Sequence, residues 1–196
     1  MPRVPLMTES ERQIRLSGSG GQGLQLGAKV LADALTLEGL YVAQSQAYEP
    51  TSRGGLSRSD LVACDGAVDY PLVTRLDYLM ILDQVAAEVP RDLVHGGTVL
   101  FLDSELVTNP PITEAVSYAL GFTEVARRVG NVRAANMVAL GALVAVSRIC
   151  GQDTLEEALA RCLPARLLDL NLEAVREGQR MAAEATAEPA RAVAKS

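Results

Sequence analysis

Four glycines, Gly18, Gly20, Gly21 and Gly23, stand between an alternating apolar segment, Ile14 to Ser17, and a run from Leu24 to Glu38. That run carries Leu24, Ala28, Leu31 and Leu35 at helical spacing, with Leu26, Val30 and Leu37 on a second side. A strand therefore passes into a well-covered helix through a turn with almost no side chains. Glycine there permits positive φ and close approach to the main chain, while the helix end offers unpaired N–H groups and roughly half a positive charge. Such a turn is suited to hold an anion. The spacing Gly18-x-Gly20-x-x-Gly23 in this context also fits a dinucleotide site, which asks for an acidic residue near the end of the second strand. Gln44, Ser45 and Gln46 stand there, and Glu49 comes late. A stand-alone NAD-binding oxidoreductase, or a non-catalytic nucleotide-binding module, is thus the alternative reading, and a tight turn that holds no ligand is a third.

Gly39 closes the helix. Tyr41 to Ala47 reads as a second strand, which gives a strand, turn, helix, strand unit long enough for a right-handed parallel crossover. Residues Tyr48 to Gly55 form a loop rich in turn formers, and Leu56 to Cys64 is extended. Tyr78 to Leu82 and Thr98 to Leu102 are short continuous apolar runs, followed by Asp83 and Asp103, as expected of strands covered on both faces in a parallel sheet. The glycine turn and both aspartates then share the carboxyl edge, where such sheets bind ligands. Beyond Pro110-Pro111 the sequence predicts helices over 113–120, 123–128, 132–150, 155–162 and 172–185. Thr154 with Glu157 makes a capping box, and Pro164 ends that helix. The expected fold is α/β and Rossmann-like, a mostly parallel sheet flanked by helices with a helical C-terminal part. A polar arm, 1–12, precedes a single domain, 13–185, and a flexible tail, 186–196, follows it.

Hydrophobic residues make up 48% of the chain, yet 4% are aromatic and none is Trp, so Leu, Val and Ala must build the core. A net charge of -6 with no basic cluster excludes a nucleic-acid surface. The start, 1–13, is polar and unlike a secretory signal, which points to the cytoplasm. The longest apolar run, Ala134 to Val146, is interrupted by Asn136 and falls short of the ~20 residues that cross a membrane. Its small residues suit a buried helix, or close contact with a helix of a neighbouring subunit. Cys64, Cys150 and Cys162 are widely separated, so they read as reduced thiols and supply neither a zinc site nor an iron–sulfur cluster alone.

Among candidate functional side chains, Arg53 before Gly54 and Gly55 is a second possible anion contact, because a guanidinium forks onto phosphate or carboxylate. The competing reading is a solvated surface arginine. His95 is the sole histidine and lacks a Ser or Cys companion in the sequence, so it reads as a loop residue before it reads as a base. Asp83 and Asp103 are candidate general bases or, equally, helix caps.

With these residues in view, the chain resembles the gamma subunit, or gamma domain, of 2-oxoacid:ferredoxin/flavodoxin oxidoreductases, the family that acts on 2-oxoglutarate, pyruvate and ketoisovalerate. The resemblance is carried by Gly18-Ser-Gly-Gly-Gln-Gly23, by Gln46-Ala-Tyr48-Glu-Pro-Thr-Ser-Arg53-Gly-Gly55 with Ser57-Arg-Ser59, by Asp69-Tyr-Pro71, and by Gly130-Asn-Val-Arg-Ala-Ala-Asn136-Met-Val-Ala-Leu-Gly141. These stand in the family's order.

The resemblance implies a cytoplasmic subunit, with no complete active site of its own, in a hetero-oligomer. That enzyme oxidatively decarboxylates a 2-oxoacid, passes the acyl group to coenzyme A and reduces ferredoxin or flavodoxin. It implies alpha, beta and ferredoxin-like partner subunits that carry thiamine diphosphate and iron–sulfur clusters. It further implies a coenzyme A contact by Gly18, Ser19, Gly20, Gly21, Gln22, Gly23, Arg53, Gly54 and Gly55, with no catalytic residue or metal ligand in this chain. The sequence has no Gly-Asp-Gly thiamine signature. Glu49 departs from the family's usual Tyr-Gly-Pro and puts a carboxylate where it opposes anion binding. The motif variants look most like the 2-oxoglutarate branch.

Overall fold

Apolar runs bounded by turn formers become strands, and the longer runs at helical spacing become helices. The computed structural model describes residues 11–49, 54–68, 70 and 72–187. Those residues form six strands: β1 (Arg12–Ser19), β2 (Tyr41–Tyr48), β3 (Leu56–Cys64), β4 (Tyr78–Ile81), β5 (Val99–Asp103) and β6 (Val116–Leu120). They also form five α-helices: α1 (Leu24–Leu37), α2 (Phe122–Val129), α3 (Ala135–Ser147), α4 (Gln152–Cys162) and α5 (Ala165–Ala187). The N–H of Leu40 donates to the Leu35 carbonyl at 3.1 Å across Gly39, whose φ of 89° only glycine takes readily, and this ends α1.

The sheet order is β2-β3-β1-β4-β5-β6. Strands β1, β4, β5 and β6 are mutually parallel, while β3 is antiparallel to both β1 and β2. Five strands therefore run one way, and the sheet is mostly parallel as the sequence predicts. The β1–α1–β2 unit does reverse back to the same direction, but β3 lies between its two strands. The hairpin partner of β2 fills the gap that a simple crossover would close.

Two expectations fail. Residues 113–120 are not helical, because Val116, Tyr118 and Leu120 alternate with Ser117 and Ala119, and β6 pairs with β5 from Val99 opposite Val116 to Asp103 opposite Leu120. The free backbone groups along β5 need partners, and the alternating segment supplies them. Thr154 is not the cap of its helix either. α4 begins at Gln152 behind Gly151, and the Gly151 N–H donates instead to Oε1 of Glu38 at 2.7 Å, from the far end of α1.

The two faces of the sheet are covered differently. On one, Ile14, Leu16, Leu61, Ala63, Met80 and Phe101 join a single apolar cluster to which all five helices contribute. On the other, Val62, Leu79, Ile81, Leu100 and Leu102 pack under residues such as Leu76, Ala86 and Val107, and no member of that cluster lies in an α-helix. Within the helical layer α3 is buried from Ala135 to Val144. It meets α5 at backbone contact: a methyl group on Gly141 would collide with the Val175 carbonyl, and one on Gly178 with the Val138 carbonyl. The small residues of α3 thus admit a helix of the same chain. Among the described residues, no helix is long and apolar enough to cross a membrane.

Candidate functional site

From β1 the chain goes through α1 to β2 and β3 on one side, and then returns to β4, β5 and β6 on the other. The carboxyl ends of β1 and β4 therefore flank the point where the direction of winding changes, the usual ligand crevice of an open α/β sheet. The glycine turn lies there. Gly20 and Gly21 at its tip are exposed, whereas Gly18 is buried.

Much of the turn is occupied by the chain itself. Oε1 of Gln22 accepts the Ser19 N–H at 2.8 Å, and Nε2 of Gln22 donates to the Leu82 carbonyl at 3.0 Å. A methyl group at Gly18 would overlap that Oε1, so the first glycine is matched to a neighbouring side chain. Gly23 takes φ 73° as the N-cap of α1, and its position is set from below by Asn136, whose Nδ2 donates to the Gly23 carbonyl at 2.8 Å. Asn136 is only 2% exposed. No side chain caps α1, so its first-turn amides have no partner within the helix and face the carboxyl edge. A methyl group at Gly20 would meet nothing closer than the Gly55 carbonyl at 3.8 Å.

The second glycine element joins the first directly: the Gly20 N–H donates to the Gly55 carbonyl at 2.9 Å. Arg53 lies outside the described residues. Glu49 closes the β2–β3 hairpin, with its N–H on the Leu56 carbonyl at 2.9 Å and its carboxylate accepting the Leu56 N–H at 3.3 Å. The carboxylate is thus engaged locally, and in that role it does not hold a ribose.

The remaining sequence candidates have structural duties. Asp103 is fully buried; Oδ1 accepts the N–H groups of Glu105 and Leu106, and Oδ2 accepts that of Thr123 at 2.7 Å, which ties β5 to the start of α2. Asp83 accepts the Val85 N–H and caps a short 3₁₀ turn. His95 precedes β5, at the opposite end of the sheet from the glycine turn, where its Nδ1 accepts the Gly97 N–H. His95 is thus remote from the turn, and both aspartate carboxylates are engaged by backbone amides. Burial pushes the Cys150 thiol up to about 12, with Glu38 adding to the effect, so it is no nucleophile at neutral pH. Among the described residues no three His, Cys, Asp or Glu side chains come together as metal ligands.

Two contributors escape a reading by motif. Asn136 stands in the sequence as the polar interruption of an apolar run and within the Gly130–Gly141 motif, neither of which places it under the glycine turn. The other is the ion pair of Arg15 and Asp60, each 6% exposed and joined by two bonds of 2.7 and 2.8 Å. These residues are direct cross-strand partners on β1 and β3. The same ladder carries on to Ser19 opposite Leu56, one step before Gly20 meets Gly55, so the pair helps fix the register that joins the two glycine elements.

A sequence model of the pyruvate ferredoxin/flavodoxin oxidoreductase family matches residues 13–181. The chain belongs to that family. A 2-oxoglutarate synthase subunit, KorC, of Methanocaldococcus jannaschii is 34% identical over 88% of this chain and 95% of its own length. Among solved structures, the gamma subunit of a keto/oxoacid ferredoxin oxidoreductase from Geobacter sulfurreducens is 37% identical, with a TM-score of 0.80 over 89% of this chain and 98% of that one. The 2-oxoglutarate:ferredoxin oxidoreductase of Magnetococcus marinus, solved with 2-oxoglutarate, coenzyme A and succinyl-CoA bound, is 25% identical with a TM-score of 0.79. This chain covers 32% of that longer one. The chain is thus of the gamma-subunit type of the 2-oxoacid:ferredoxin oxidoreductases.

Proposed function

We propose that this protein is the gamma subunit of a cytoplasmic 2-oxoglutarate:ferredoxin oxidoreductase. The enzyme converts 2-oxoglutarate, coenzyme A and two oxidised ferredoxins into succinyl-CoA, carbon dioxide, two reduced ferredoxins and a proton, or runs the reverse. The observation that carries the substrate assignment is the nearly full-length likeness to a 2-oxoglutarate synthase subunit. Alpha, beta and ferredoxin-like subunits complete the assembly and bring thiamine diphosphate and iron–sulfur clusters.

In this reading the exposed rim of the glycine turn, Gly20 and Gly21 with Gly54, and the Arg53 guanidinium meet phosphate groups of coenzyme A. The meeting of Gly20 with Gly55 supports it, because it gathers the two anion-binding elements at one crevice. In the assembled complex, Arg53→Ala should raise the apparent KM for coenzyme A about tenfold, the scale of a lost charged hydrogen bond, and leave that for 2-oxoglutarate unchanged. Gly20→Ala adds a methyl group that the fold accommodates. It should therefore raise the same KM only if the ligand comes close to the backbone. Equal effects of Arg53→Ala on both substrates point to assembly in place of coenzyme A contact. Turnover by the isolated chain with dye or ferredoxin would contradict the subunit assignment.

A further inference from the structure

In strand–glycine turn–helix units that bind dinucleotides, the pyrophosphate sits against the turn amides at the helix N-terminus, in the crevice between the first strand and its neighbour. Here the matching crevice lies between β1 and β4, and the Gln22 carboxamide fills it. Its oxygen takes the Ser19 N–H, and its nitrogen bridges to the Leu82 carbonyl at the end of β4. Gly18 is bare to make room for this group. The Gly20 N–H is engaged as well, by Gly55. A phosphate entering the seat has to displace a neutral amide held at both ends and leave the Leu82 carbonyl without its donor.

We infer that Gln22 is a specificity-determining residue that keeps dinucleotides out of the glycine turn. The side chain stands in for the phosphate of an NAD-type ligand, so the motif keeps its shape and loses that ligand. Anions are then met only from the outer rim, beyond Gly20. The inference concerns exclusion of a dinucleotide and is read without coenzyme A, so its outcome is separate from that of the contact proposed above.

The test is equilibrium dialysis of NAD against the full-length chain as wild type, Gln22→Ala and Gln22→Glu. Gln22→Ala empties the seat, whereas Gln22→Glu retains a side chain of the same size that opposes phosphate by its charge, although it cannot donate to the Leu82 carbonyl. NAD should bind Gln22→Ala at least about tenfold more tightly than either of the other two, the scale of one exchanged hydrogen bond. Equal binding by wild type and Gln22→Ala, or no binding by a folded Gln22→Ala chain, overturns the inference. Should Gln22→Ala not fold, hydrogen exchange on the wild type decides: the Ser19 amide is expected to be protected and insensitive to millimolar NAD. An unprotected Ser19 amide, or one whose exchange NAD alters, overturns it.

Discussion

The two faces of the sheet are buried by different means, and strand β1 shows the difference within eight residues. Toward the helices it presents Ile14 and Leu16, both fully buried. Toward the other face it presents Gln13, Arg15 and Ser17, no more exposed than 6% and every one hydrogen-bonded. Helices satisfy their own backbone groups, so the surface they bury can be wholly apolar. Irregular chain cannot, and its amides and carbonyls need partners from what they cover. Oε1 of Gln13 accepts the N–H groups of Thr74 and Arg75, and Ser17 donates to the Met80 carbonyl at 2.8 Å. Gln13 answers the covering loop in this way, whereas Arg15 and Ser17 take their partners from the neighbouring strands, Asp60 of β3 and the Met80 carbonyl of β4.

Breaking the polar face should cost most. Asp60→Ala strands the buried Arg15 guanidinium and should lower unfolding free energy by about 3–5 kcal/mol in denaturant titration. The comparison sharpens if Arg15→Met with Asp60→Leu recovers most of that loss, since an apolar pair of similar volume removes the uncompensated charge. Full loss in the double variant would mean that register depends on the ions themselves. On the helical face, Gly178→Ala drives a methyl group against the Val138 carbonyl and should cost about 1–3 kcal/mol by forcing α3 and α5 apart. A thermal midpoint equal to that of wild type would show that the helices slide freely.

The smallest effect belongs to Glu38, a polar joint at the end of the helical layer. The Gly151 N–H, followed by the Thr154 hydroxyl, holds its carboxyl below the ordinary 4.5. Because the folded value lies below the unfolded one, its contribution is present above about pH 4.5 and fades as pH falls through the folded value. Glu38→Gln should therefore cost less than about 1 kcal/mol at pH 7, since the group is largely solvated, and the difference should shrink as pH falls. Stability curves of the two chains that stay parallel across this range would rule out the carboxylate as the cause.

Reading the sequence recovers the elements whose pattern is local. The Gly18–Gly23 turn, helix α1 and the apolar strands β4 and β5 carry their own signals. The 113–120 segment reads as helix in isolation because its strand identity depends on the open edge of β5, outside the segment itself. Strand β3 reads as extended, but nothing local puts it between β1 and β2. The alternation in β1 resembles that of a strand with one wet face, because Gln13, Arg15 and Ser17 give no sign that loops bury them. At the site, partners that meet across long separations carry no local signal of their meeting: Asn136 under Gly23, and Leu82 beyond Gln22. The glycine pattern marks a place in the fold, and the side chains folded into it decide what that place admits.

The close passage of α3 against α5 has a consequence for biosynthesis. During translation the sheet and α3 emerge first, yet the side of α3 that meets α5 stays uncovered until Ala174, Val175, Gly178 and Ala182 have left the ribosome. The layer closes only when α5 arrives, so the packing of the helices that precede it is completed late in synthesis.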